Sequence, residues 1–181
     1  MTQIEIDKFC NDYGFKPRNS KSEMKELINL LFTDEKLHGL LEGLLENIGG
    51  GKINGSGLVI ATNKRIVFFR KSFIGTISKE EVSLQVISSA SFRKGLITSS
   101  IVVTSSSNNA IVKYCDHTMA QKFVNVLTNL IHDSHTLSNQ STNHSDQDFT
   151  QQLEKIYALK EKGAISEDEY ISMKSKILTS I

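Results

Sequence analysis

At 181 residues, 39% of them hydrophobic and 23% charged, the chain holds one ordinary domain plus a small appendage and is not disordered throughout. Two cysteines, Cys10 and Cys115, lie far apart without CxxC spacing, which excludes a disulfide framework or a cysteine-based metal site and points to a reducing compartment. The net charge of +1 conceals an acidic N-terminal part (residues 1–49, net −3), a basic middle (residues 50–115, net +7) and an acidic C-terminal part (residues 116–181, net −3). Either the basic middle attracts an external polyanion, or, more simply, the acidic ends fold against it.

The N-terminus lacks a basic start followed by an apolar run, so it does not read as a signal peptide. No apolar stretch reaches the ~18 residues of a membrane span. A cytoplasmic protein is expected, with a position at the membrane periphery as the alternative.

Ile4, Ile6, Phe9 and Cys10 predict a short helix over 3–13, ending before Gly14 and Pro17. Met24, Leu27, Ile28, Leu30 and Leu31 predict a second, capped by Ser20 or Ser22. Gly39 and Gly43 interrupt the leucines between Leu37 and Leu45, so a strand from about Leu40 to Asn47 is favoured over a helix. Gly49-Gly50-Gly51 is turn material. Leu58–Ala61 and Ile66–Phe69 then flank Thr62-Asn63-Lys64-Arg65, which predicts a tight β-hairpin.

Further extended pieces are expected at 73–77, 82–92, 97–104 and 110–115. Short strands at this spacing indicate a sandwich or barrel. The period then changes to about 3.6. Met119, Phe123, Val126, Leu127, Leu130 and Ile131 predict a helix capped by Thr118 with Gln121, or by Asp116, and ending near His132. Residues 135–148 are almost wholly polar and read as a flexible linker. The tail is well punctuated. A helix over 149–162 stops at Gly163, and Ser166 with Glu169 forms a capping box for another. A hairpin of that size docks on something, either the main domain or a second copy.

The phrase Gly55-Ser56-Gly57-Leu58-Val59-Ile60-Ala61-Thr62-Asn63-Lys64-Arg65-Ile66-Val67-Phe68, with the later stretch from Val86 to Leu96, resembles the bacterial pleckstrin-homology (PH) family of the YokE-like type. The resemblance covers about residues 33–132. It implies an α+β fold with a PH-like seven-stranded antiparallel barrel or sandwich, capped by a C-terminal helix. The run from Leu153 to Tyr170 resembles the short C-terminal domain called SHOCT, an oligomerisation or interaction element. The expected order is an N-terminal helical segment (1–32), a PH-like domain (33–134), the linker (135–148) and the SHOCT-like hairpin (149–181).

Catalysis finds little support. Gly49-Gly50-Gly51-Lys52 lacks the Ser or Thr and the earlier Gly of a phosphate loop, and Gly55-Ser56-Gly57 continues to Ile60 where a dinucleotide fingerprint needs Gly. His132, His135 and His144 lack Cys or ordered carboxylate partners, so no metal is expected. No G-x-S-x-G elbow occurs. No cofactor is expected, and the chain reads as a non-enzyme.

Two sets of residues carry binding hypotheses. Lys52, Lys64, Arg65, Arg93 and Lys94 are candidate contacts for anionic lipid, provided that the turns share one rim; solvated turn charges are the simpler reading. Nucleic acid is disfavoured, because exposed aromatics do not interleave with these cations. Leu153, Ile156, Tyr157, Ile165, Tyr170 and Ile177 are candidate contacts for self-association or a protein partner. The expected function is a non-catalytic binding or scaffold module, with anionic-lipid binding through the basic turns as the alternative.

Overall fold

The computed structural model describes the backbone of residues 1–106 and 108–179, and the side chains of 1–46, 48–106, 108–136 and 153–176. The chain divides into two compact units, Met1–His135 and Thr136–Ile181.

In the first unit seven antiparallel strands form one sheet in the order β4-β3-β2-β1-β7-β6-β5, which does not close. The strands are β1 (Leu37–Ile48), β2 (Ile53–Thr62), β3 (Arg65–Lys71), β4 (Ile77–Ser83), β5 (Ile87–Lys94), β6 (Ser99–Ser105) and β7 (Asn109–Cys115). The helices of the chain are α1 (Gln3–Tyr13), α2 (Lys21–Met24), α3 (Leu27–Leu30), α4 (His117–Glu161) and α5 (Glu167–Thr179).

Two cores lie on opposite faces of the sheet. The inner one joins Leu41, Leu45, Phe68, Ile101 and Val112 to Phe123, Leu127 and Ile131 of α4. The outer one joins Leu40, Leu58, Ile60, Val67 and Phe69 to Ile6, Tyr13, Phe15 and Leu27 of the N-terminal segment. The N-terminal helices are therefore a further layer over β1–β3. This explains why β2 and β3 carry unbroken apolar runs: a strand covered on both faces has no polar side to alternate with. The glycines of β1 have the same origin in packing. A Cβ on Gly39 would lie 3.1 Å from the Phe123 ring, and one on Gly43 would lie 2.7 Å from the Lys113 carbonyl.

Local signals hold at the chain start. Thr2 and Glu5 form a capping box on α1. Gly14, at φ 77°, ends α1 in a Schellman motif: its N–H donates to Asn11 O, and Phe15 N–H donates to Cys10 O. The expected second helix is instead two single turns, α2 and α3. Tertiary contacts override its periodicity: Glu23 accepts from Lys71 N–H at 2.9 Å, Glu26 pairs with Lys71 Nζ at 2.6 Å, and the Leu30 carbonyl accepts from Arg65.

Three other expectations are corrected. Phe73–Ile74 is an exposed turn, and the strand begins at Ile77. The stretch 82–92 is two strand segments joined by a 3₁₀ turn, Leu84–Val86. The backbone of residues 135–148 lies within α4 rather than in coil. That stretch holds no Gly or Pro, so its polarity lowers helix propensity without breaking a helix. At the start of α4 the cap is Asp116, whose carboxylate accepts from Thr118 and Met119 N–H.

In the second unit Gly163, at φ 67°, closes α4 in another Schellman motif, with Gly163 N–H donating to Lys160 O and Ala164 N–H to Leu159 O. Ser166 and Glu169 form the expected capping box at the start of α5.

Candidate functional site

The Thr62-Asn63-Lys64-Arg65 turn is a clamp. Thr62 Oγ1 accepts from the N–H groups of Lys64 and Arg65. Asn63 exchanges hydrogen bonds with the Lys36 backbone. Arg65 is buried: its Nε donates to Glu35 Oε1 at 2.7 Å and its Nη2 to Glu35 Oε2 at 2.8 Å. A third contact reaches Glu81, and the guanidinium lies 3.9 Å from the Phe32 ring centroid. Burial alone raises the Glu35 carboxyl, but hydrogen bonds from Arg65, Phe32 N–H and Thr62, with the Arg65 charge, hold it below its ordinary value. The hydrogen bonds to Glu35 also push the Arg65 guanidinium upward.

The five basic candidates do not share one rim. Lys52 lies in the β1–β2 turn and Lys64 in the β2–β3 turn, at opposite ends of β2. Lys64 pairs with Asp34, and Arg65 points inward. Arg93 and Lys94 end β5, on the far edge of the sheet order. Both are exposed and without an ion pair among the described residues. The acidic N-terminal part does fold against the basic middle, through Glu26–Lys71, Asp34–Lys64, Glu35–Arg65 and Glu46–Lys113. The turn that holds Lys52 faces a carboxylate, since a Cβ on Gly49 would lie 2.7 Å from Glu80 Oε2.

A feature that periodicity does not reveal lies in β7. Ser99 pairs with Cys115 and Ile101 with Val112, so Ser100 alone opposes both Lys113 and Tyr114. This β-bulge sits where β1 and β7 part, and it holds Tyr114 at φ 56° with the residue 68% exposed. A left-handed conformation costs a non-glycine residue about 1–2 kcal/mol. Beside it opens a cavity of about 430 Å³ whose walls include Lys16, Arg18, Glu42, Ser56, Tyr114 and Met119. The Glu42 carboxylate is already occupied by Arg18 N–H, Asn19 N–H and the Ser20 hydroxyl.

Reactive groups are few among the described residues. No group of three His, Cys, Asp or Glu side chains could hold a metal ion. Burial, with Asp116 and Glu42 adding to it, pushes the Cys115 thiol up to about 12, away from a reactive thiolate. Ser99 Oγ lies 2.5 Å from His117 Nδ1, but the serine is buried, and the contact closes the start of β6 on the first turn of α4.

The six candidate contact residues of the tail lie in the second unit. Ile156 is buried, Leu153, Ile165 and Tyr170 are half-buried, and Tyr157 is exposed; the Ile177 side chain lies outside the described residues. The Tyr157 and Tyr170 rings meet edge to face at 6.4 Å.

An open seven-stranded antiparallel sheet enclosing a core with a following helix defines a PH-like α+β fold. The chain belongs to the Bacterial PH domain family, which matches residues 31–129. Among solved structures it is similar to the Vps36 N-terminal PH domain, with 12% identity and a TM-score of 0.47 over 59% of this chain and 86% of that one. It is also similar to a DUF1696 family protein with a pleckstrin-homology domain from Shewanella loihica, with 16% identity and a TM-score of 0.37 over 64% of this chain and 92% of that one. No curated protein matches the chain. No helix among the described residues is long and apolar enough to cross a membrane.

Proposed function

We propose that this protein is a non-catalytic cytoplasmic binding and scaffold module, in which the PH-like domain presents a ligand surface and the SHOCT-like hairpin of residues 149–181 mediates self-association or partner binding. One observation carries the hairpin reading. Tyr157, Leu159, Ile171 and Met173 are exposed, while Ile156 is the one buried apolar side chain among the described residues of that unit. A helical hairpin with so little apolar burial of its own gains stability from a partner surface. The test compares the solution mass of the full chain with that of a chain lacking 149–181. A fall from an oligomer to a monomer supports self-association, and an unchanged mass on truncation removes it.

A second reading is peripheral binding to anionic lipid. Arg93 and Lys94 favour it, because they are exposed cations of the basic middle with no carboxylate partner among the described residues. Lys64 and Arg65 are spent on Asp34 and Glu35. Vesicle flotation at low and moderate salt tests this: an electrostatic binder floats with anionic vesicles and releases as salt rises.

A further inference from the structure

The β5–β6 hairpin breaks a local rule. Its closing bond runs from Gly95 N–H to Thr98 O at 3.0 Å, which leaves Leu96 and Ile97 as the two corner residues. Two-residue corners favour Asn, Asp and Gly, often with positive φ. Neither Leu96 nor Ile97 has a positive φ, and both project fully into solvent. Turn chemistry therefore does not account for them, and neither does packing. Exposing two adjacent large aliphatics at a tip forfeits burial that a polar pair would not. One residue before them, across Gly95, stand Arg93 and Lys94, exposed and uncompensated among the described residues.

We infer that this corner is an interfacial anchor for an anionic bilayer: Leu96 and Ile97 enter the headgroup–acyl boundary while Arg93 and Lys94 contact lipid phosphates. Aliphatic groups flanked by cations match the two layers of that boundary, apolar within and anionic at the surface. The inference rests on the lipid reading above and adds apolar insertion to it. A second exposed apolar corner, Phe73–Ile74, fits less well. Of the two cations before it, Lys71 pairs with Glu26, and Arg70 is half-buried with its guanidinium against Gly55. It also leaves the opposite end of the strand ladder, since β3 and β5 run in opposite senses through the sheet order.

The chain contains no tryptophan, so Leu96→Trp in the full-length protein supplies a single reporter. Vesicles of equal parts phosphatidylglycerol and phosphatidylcholine are compared with phosphatidylcholine alone. The expected result is flotation with the anionic vesicles and a blue-shifted emission from Leu96→Trp, with no shift from Phe73→Trp. Arg93→Gln with Lys94→Gln lowers partitioning by about thirtyfold, on the order expected from two surface cations. Leu96→Ser with Ile97→Ser lowers it by more than about tenfold at unchanged charge. Flotation without a blue shift, or flotation indifferent to the serine pair, overturns insertion and leaves an electrostatic lipid binder. Absence of flotation overturns both, and makes a protein the class of partner for this corner.

Discussion

Arg65 and Glu35 meet in a buried bidentate pair, with Nε to Oε1 at 2.7 Å and Nη2 to Oε2 at 2.8 Å. Thirty residues separate them, and their pairing ties the segment before β1 to the β2–β3 hairpin. Removing one partner strands the other charge without water, so Arg65→Ala is expected to cost about 3–5 kcal/mol in urea denaturation. Arg65→Lys keeps the charge but loses the fork, and is expected to recover only part of that stability. An apolar pair of similar volume at 35 and 65 is expected to fall much closer to wild type, because no charge is then left unpaired.

The same pair sets an acid limit. The folded Glu35 carboxyl lies below its ordinary value of 4.5, so its contribution is complete above that value in the unfolded chain. The contribution is lost as pH falls through the lower folded value. Thermal unfolding followed from neutral pH downward is expected to show a steepening fall in Tm below about 4.5. In Glu35→Gln the starting Tm is lower and that part of the slope is reduced.

Tyr114 gives a test of strain. Tyr114→Gly removes the left-handed penalty and is expected to leave stability unchanged or raise it by up to about 1 kcal/mol, the glycine's own entropy offsetting part of the gain. Tyr114→Val places a β-branched residue at φ 56° and is expected to lower Tm below wild type. Loss of stability in the glycine variant would mean that the exposed ring stabilises the bulge more than the backbone strain costs.

The N-terminal layer is expected to be part of the folding unit. Ile6 is fully buried in the outer core, so Ile6→Ala should cost about 2–5 kcal/mol by denaturant midpoint at unchanged m-value. Deleting residues 1–32 uncovers Leu58, Ile60, Val67 and Phe69, and is expected to yield aggregating protein by light scattering.

At the hairpin, Ser166→Ala removes the hydroxyl that accepts Glu169 N–H. It is expected to weaken α5 by about 1 kcal/mol, read as lost helicity on heating the full chain. Ser166→Asp, which keeps an accepting oxygen at the cap, is expected to restore it.

Local signals carried much of this architecture. Thr2, Gly14, Gly163 and the Ser166–Glu169 box act through backbone groups a few residues away, so their placement is readable from neighbours alone. The apolar runs of β2 and β3 are legible for the same reason. Their length and β-branched content say strand, and the turn between them says hairpin. What neighbours cannot express is which distant group a side chain meets. Arg65 looked like a turn cation because Glu35 is thirty residues away, and Lys64 looked free because Asp34 is equally remote. The role of residues 1–32 was hidden likewise, since a strand buried on both faces reads the same whatever covers it. The β7 bulge has no composition signal, because Tyr114 is not the residue type that a left-handed position favours. The exposure of Leu96 and Ile97 also needed the fold, for in sequence Ile97 begins an apolar strand. The sequence by itself thus determined the first helix, the β2–β3 hairpin, the stops at Gly14 and Gly163 and the Ser166–Glu169 cap, all set by contacts of short range. Only the tertiary structure decided which charges are consumed inside and which remain at the surface, because burial and ion pairing depend on residues brought together across the sheet.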